Sequence, residues 1–431
     1  MKLLRLGRLS GEATWILAGQ ATSILGTLAL IRLLTEHISV AAYGKWALCL
    51  SIVAIVNQVI LGGIIAALAR YHSIALEGND LQGYLKGSRL VIKRATLGVC
   101  AIAVLVLLAL TLLDQTDWIP LALVLVAFAL LSGYNSCLAA IRSAARSHLI
   151  VAIHNGAGPW LTSLLVANFM RWSELSVLMI AVAYASSASL IFLSQLILFK
   201  KATAKNSDKV AEKNSEDWAE AIIKFSLPIS LFGVFTWAQQ ISDRWALEHY
   251  SSTDTVGQYA VLFQLGFTPS MLCIGLVMQF LAPILYKISG AATDSDRNRQ
   301  VKRVALSAVV ISLLGTLILF SIALTLHASI FQLLTASRYW AISHYLPWMV
   351  LAGGLFGAGE LIALKAISEI KVGTITKVKI VTSLFGISFN IVGACFFGLN
   401  GVVAAVLSFG VFYFIWMLIA TTRLHPSLIH N

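Results

Sequence analysis

The sequence predicts an all-α integral membrane protein with about twelve transmembrane helices in two pseudo-symmetric six-helix bundles. Three observations predict it: an apolar composition, an alternation of basic residues along the chain, and a motif that recurs half a chain length apart. Hydrophobic residues make up 58% of the 431 and charged residues only 12%, against about 25% charged in a soluble domain. Mean hydropathy is +0.85. A soluble core of this composition would leave too little polar surface to cover it, and a bilayer removes the problem.

A spanning helix needs about 20 largely apolar residues, and the chain offers twelve such stretches in order. The first, at about 12–34, follows the basic start MKLLRLGRLSGEATWIL. That start resembles a signal peptide, but its apolar run is too long and no small-residue cleavage site follows, so it reads as a retained helix. The second, at about 43–69, is interrupted by Gly62-Gly63. The third to sixth lie at about 93–113, 118–141, 148–170 and 175–199 and complete a bundle over 1–199. A polar stretch at 200–220 reads as a cytoplasmic linker, and 221–431 forms the second bundle.

The seventh span covers about 221–247, and the eighth, about 256–286, is interrupted by Pro269 and Pro283. After a polar stretch at 287–303 come the ninth, about 304–327, and the tenth, about 340–365, with Pro347 and Gly353-Gly354 inside it. The last two lie at about 374–397 and 400–422. Such interruptions are tolerated where neighbouring helices or a wet cavity satisfy the freed backbone groups.

Basic residues fix the orientation. With the N-terminus in the cytoplasm, 26 of the 31 Lys and Arg fall on the cytoplasmic side. The opposite face collects Arg32, Lys45, Arg171, Arg244 and Arg338. This is the positive-inside bias, and it places both termini in the cytoplasm. It also accounts for the net charge of +12 without a nucleic-acid partner, for which no basic stripe with stacking aromatics is present. Cys49, Cys100, Cys137, Cys273 and Cys395 all lie in apolar stretches without CxxC spacing, as small buried apolar residues rather than disulfide or metal ligands.

The repeat joins the two halves. Arg32-Leu-Leu-Thr-Glu36-His37-Ile-Ser39, then Tyr43-Gly44, returns as Arg244-Trp-Ala-Leu-Glu248-His249-Tyr-Ser251, then Gly257-Gln258-Tyr259. Six spans separate the copies, so both have the same orientation, as in a parallel repeat about an axis along the membrane normal.

No GxSxG, HExxH, P-loop or paired intramembrane carboxylates occur. The outer loops are short, which disfavours a polymerase or ligase that would hold catalytic groups there. Candidate site residues are therefore intramembrane ionisable groups, which must face a partner or a wet cavity. Arg32 and Arg244 either flank an outer mouth and attract an anion such as phosphate, or snorkel and pair with Glu36 and Glu248. Asp243 and Glu360 are candidates for ion coupling, with Glu12 a further acidic residue close to a span; Asp243 could equally anchor at the interface. His154, beside Asn155 in the fifth span, is either a proton carrier or a hydrogen-bonded packing residue. Arg70, Arg142, Arg146 and Lys224 gather near cytoplasmic helix ends, where they either receive a pyrophosphate headgroup or simply obey the positive-inside bias.

Three stretches carry a family resemblance: Arg32-Leu33-Leu34 with Tyr43-Gly44; Ser242-Asp243-Arg244 before Val256-Gly257-Gln258-Tyr259; and Pro283-Ile284-Leu285-Tyr286. With the hydropathy layout, the chain resembles the polysaccharide-transporter branch of the multidrug/oligosaccharidyl-lipid/polysaccharide (MOP) exporter superfamily, the O-antigen and exopolysaccharide repeat-unit flippases. The resemblance implies two six-helix bundles forming a V around a central cavity, working by alternating access in a bacterial inner membrane. The implied cargo is an undecaprenyl-diphosphate-linked oligosaccharide moved to the outer leaflet for surface polysaccharide biosynthesis. Implied partners are membrane lipids and other polysaccharide-assembly proteins. No cofactor is implied beyond H+ or Na+ coupling, and Asp243 and Arg244 match the recurrent Asp-Arg of the seventh helix. Few Lys or Arg lie near the midplane, a departure from the strongly cationic lumen of similar flippases. A drug or metabolite exporter of the same superfamily is the alternative, and a membrane polymerase or ligase a more distant one.

Overall fold

The computed structural model describes residues 2–204, 215–289, 295–368 and 372–422. Among them every regular element is a helix. In order these are α1 (Lys2–His37), α2 (Val40–Ala54), α3 (Gly62–Glu77), α4 (Leu81–Leu112), α5 (Ile119–Ala144), α6 (His148–Phe169) and α7 (Val177–Ala204). There follow α8 (Ser215–Tyr250), α9 (Thr253–Leu265), α10 (Phe267–Ser289), α11 (Ser295–Leu334), α12 (Leu346–Ser368) and α13 (Val372–Thr422). Eleven of the described stretches are long and apolar enough to cross a membrane. α13 supplies two passes, because Gly398 sits at φ 55° within it. Only glycine adopts that left-handed conformation without cost, and there it reverses the chain with hardly any loop. Among the described residues this makes twelve passes. The chain is a multi-pass membrane protein, and its outward faces bear this out: Leu105 on α4 is 66% exposed and Ile311 on α11 68%, surfaces that lipid covers.

The predicted interruptions have distinct outcomes. In the second pass a single π-helical turn, Ile55–Ile60, separates α2 from α3, which begins at Gly62. The eighth pass breaks at Gly266, three residues before Pro269, whose ring cannot donate to the preceding turn. The tenth does not break at Gly353-Gly354, which lie inside α12. There Gly354 sits against the side chain of Thr316 on α11, so the small residue serves close helix approach. Pro347 opens α12 at its first turn. Glu12, Pro283 and Tyr286 lie outside the described side chains, and 205–214 and 290–294 outside the described residues.

The chain divides into two compact units, residues 1–38 with 45–237, and residues 39–44 with 238–431. In the first, one core joins α3, α4, α5 and the start of α8 through Leu68, Tyr84, Ile141, Trp218 and Ile222. Asp80 caps α4 by accepting from the Gly83 N–H at 3.1 Å, and its other oxygen accepts from the Trp218 indole at 2.7 Å. Residues 215–222 are thus helix wedged onto the first unit. In the second unit, α10, α11, α12 and the second half of α13 enclose a core around Leu285, Val309, Leu361 and Met417.

Candidate functional site

Among the described residues, the predicted intramembrane candidates fall in three clusters of polar and charged side chains, two in the second unit and one in the first. The first cluster is built where α8 meets α9. Asp243 is 2% exposed. Its Oδ2 accepts from the Tyr259 hydroxyl at 2.5 Å, and its Oδ1 from the Arg244 backbone N–H at 2.6 Å. A buried carboxylate needs such donors, because an unpaired one in a medium of low dielectric is strongly disfavoured. Arg244 points elsewhere: its guanidinium lies 4.9 Å over the Phe263 ring and donates to the Gln240 carbonyl at 3.3 Å. Delocalised charge over an aromatic face is a favourable way to keep a cation in an apolar setting. Beside them Asn390 of α13 donates to the Ser242 hydroxyl at 2.9 Å, and its own carbonyl oxygen is buried with no hydrogen-bond partner among the described residues.

The two arginines of the repeat differ. Arg32 forms an ion pair with Glu36, one turn on. Glu248, the counterpart of Glu36, instead accepts from Thr253 at 2.8 Å.

The second cluster centres on Glu360 of α12. Lys379, on the first half of α13, reaches both carboxylate oxygens, at 2.8 and 2.9 Å, and the Tyr413 hydroxyl donates at 2.5 Å. The charges are about one-fifth exposed. Lys365, five residues along the same helix, is not in this ion pair. Lys379 and Tyr413 were not singled out from the sequence. The available signal for Lys379 was its place, with Lys377, inside a predicted span, where a cation must find a partner.

The third cluster lies in the first unit, where α5 and α6 pack on α7. Arg142 is 4% exposed. Its guanidinium donates to the Gln195 carbonyl at 2.9 Å and lies 5.8 Å from the Phe199 ring, while its Nε is buried without a hydrogen bond. Gln195 in turn donates to Asn135 at 3.3 Å, and Asn135 to the Ala188 carbonyl at 2.9 Å. His154 is held at both nitrogens, Nδ1 2.7 Å from the Ile150 carbonyl and Nε2 3.0 Å from the Ser194 hydroxyl. A carbonyl only accepts, so Nδ1 carries the hydrogen and Nε2 accepts from serine in the neutral ring.

The remaining predicted cations do not join these clusters. Arg70 is exposed midway along α3, and Arg146 is exposed in the α5–α6 turn at φ 58°. Lys224 pairs at 2.8 Å with Glu220, one turn away on the exposed face of α8. Arg142 is thus the buried member of the four cations expected to gather at helix ends, the others facing outward.

No family model and no curated protein matches the chain. Solved structures do. The Lipid II flippase MurJ, in an inward closed conformation, is 13% identical with TM-score 0.69, covering 96% of this chain and 87% of that one. A MOP-superfamily transporter from Pyrococcus furiosus, described as having a binding pocket of reverse polarity, is 16% identical with TM-score 0.66, covering 95% and 94%. A multidrug resistance MATE-family transporter in an outward-facing conformation is 16% identical with TM-score 0.65 over the same shares. At these identities the likeness concerns architecture. The chain has the all-helical fold of the MOP-superfamily transporters.

Proposed function

We propose that this protein is a flippase for lipid-linked oligosaccharides. It carries an undecaprenyl-diphosphate-linked repeat unit from the cytoplasmic to the outer leaflet by alternating access, for surface polysaccharide biosynthesis in a bacterial inner membrane. Both termini are cytoplasmic in this reading, which the excess of Lys and Arg on that side supports.

The observation that carries the reading is the Asp243–Tyr259–Arg244 cluster. It holds a buried carboxylate and an arginine on an aromatic face, and the resemblance matches Asp243 and Arg244 to the Asp-Arg that recurs in similar flippases. The fold shared with a Lipid II flippase supports it. Arg244 and Arg32 attract the diphosphate at the outer mouth, and Arg70, Arg146 and Lys224 receive it at the inner one. Asp243 and Glu360 couple the cycle to H+ or Na+, since each carboxylate is already poised among donors that a proton or cation would rearrange. Arg142 and His154 hold α5, α6 and α7 together.

The test is reconstitution of the full chain in vesicles with a fluorescent undecaprenyl-diphosphate glycan, followed by quenching from outside. Wild type moves the lipid, and Arg32→Ala and Arg244→Ala slow it. Unchanged movement in both variants removes the arginines from the pathway. Export of a drug or metabolite is the second reading, favoured by the equally extensive match to multidrug transporters. Altered drug resistance on deletion, with surface glycans intact, would establish that reading in place of the first.

A further inference from the structure

Lipid surrounds most of α4. Beyond Val91 only Val99 is buried among its residues, and the 19 residues from Ala95 to Leu113 carry no charge. At 1.5 Å each they rise about 28 Å, close to the hydrocarbon thickness of a bilayer, about 30 Å. The helix begins earlier, at Leu81, so its first turns stand at headgroup level.

Four cations occupy those turns: Lys86, Arg89, Lys93 and Arg94. Arg94 turns to α8, where it donates to Glu216 at 3.3 Å. The other three are exposed and make no hydrogen bond or ion pair with any described residue. Their spacing, three residues and then four, places them on one face of the helix. That face is opposite the buried one, formed in these turns by Tyr84, Gly87, Ser88 and Val91. At Gly87, α8 comes so close that a Cβ would lie 2.7 Å from that of Trp218. With the same spacing the cationic face runs on into Leu97, Cys100, Val104 and Leu108, all exposed.

We propose that this face of α4 binds anionic phospholipid of the adjoining leaflet, with phosphates against Lys86, Arg89 and Lys93 and an acyl chain along Leu97, Cys100 and Val104. Cations beside a membrane attract anionic headgroups over about a Debye length, roughly 8–10 Å. Lys86 stands only about 10 Å along the helix axis from Lys93, so all three act on the same layer. The positive-inside bias asks for cations at this end of the helix but not for a particular face. Their confinement to the side turned away from α8, in line with exposed apolar residues, is what a lipid partner explains. No cavity is needed, because headgroups reach the exposed side chains from the side. The site lies in the first unit alone and is independent of what the protein transports.

Cys100, on the same face, supplies the probe. The full chain carrying Cys273→Ser and Cys395→Ser is labelled at Cys100 with a fluorophore and placed in phosphatidylcholine vesicles. Brominated phosphatidylglycerol or brominated phosphatidylcholine then enters at equal mole fraction as quencher. The phosphatidylglycerol is favoured about tenfold at the label, and Arg89→Gln with Lys93→Gln brings the two lipids to parity. Arg89→Lys with Lys93→Arg keeps the preference, because the charges remain. Lys200→Gln with Lys201→Gln, which removes the same charge from the end of α7, also keeps it. Lys93→Gln alone lowers the preference about threefold and carries the test if the paired variant fails to fold. Equal quenching by the two lipids in the parent protein overturns the proposal, as does a preference that survives Arg89→Gln with Lys93→Gln. An equal loss in the α7 pair would reduce the effect to overall charge and overturn the site.

Discussion

Gly44 and Gly257, the glycines of the two motif copies, lie backbone against backbone within the second unit. A Cβ on Gly44 would overlap the Thr253 carbonyl oxygen and lie 2.9 Å from the Gly257 nitrogen. One on Gly257 would overlap the Val40 carbonyl oxygen and lie 3.1 Å from the Gly44 nitrogen. The relation is reciprocal. Gly257→Val forces the segments apart and costs about 1–3 kcal/mol by overpacking. Folded yield, read by fluorescence-detected size exclusion after heating, falls sharply. Gly315→Ala, where a Cβ meets nothing within 4 Å, leaves it unchanged.

Removing one partner of the Glu360–Lys379 pair is more damaging than removing both. Lys379→Met leaves the carboxylate with only the Tyr413 hydroxyl and destabilises by about 3 kcal/mol, because an uncompensated charge stays inside. Adding Glu360→Gln to Lys379→Met recovers most of the loss in a double-mutant cycle of unfolding midpoints. If the double variant is no more stable than Lys379→Met alone, the pair is not coupled.

Asp243→Asn keeps the shape of the side chain and an acceptor for Tyr259 but removes the charge. The variant folds with wild-type yield and loses gradient-driven movement of lipid-linked glycan, while exchange without a gradient persists. Loss of both activities together with normal folding would make Asp243 part of the passage itself.

Arg142→Gln shortens the side chain and withdraws its donor from the Gln195 carbonyl. Losing this charge-assisted bond costs about 1–3 kcal/mol. Thermal unfolding shifts down, whereas the folded fraction binds diphosphate lipid as wild type does. Reduced lipid affinity at unchanged stability would instead make Arg142 a ligand residue.

Much of the fold was legible because hydrophobic length and charge alternation are one-dimensional signals. The spans, the break before Gly62 and the break near Pro269 all follow from local composition. Gly353-Gly354 misleads on the same grounds: locally it reads as an interruption, and only α11, with Thr316 against it, shows it to be a packing surface. Asp243 and Glu360 could be singled out as costly intramembrane carboxylates, but their partners could not. Tyr413 is 53 residues from Glu360 along the chain, and Lys379 is 19 away on another helix. No periodicity links them. Arg32 and Arg244 matched in sequence, yet one bonds a carboxylate and the other an aromatic face, because the side chains around the two copies differ.

The Trp218 wedge bears on how the chain is assembled. Asp80, waiting at the start of α4, receives the Trp218 indole from 138 residues later. During synthesis the first seven helices therefore leave the translation machinery with a vacant slot between α3 and α4, filled only when residues 218–222 emerge. A chain severed within 205–214 would strand that slot in one fragment and its plug in the other. The two pieces, expressed together, would have to find each other at this joint before either could be complete.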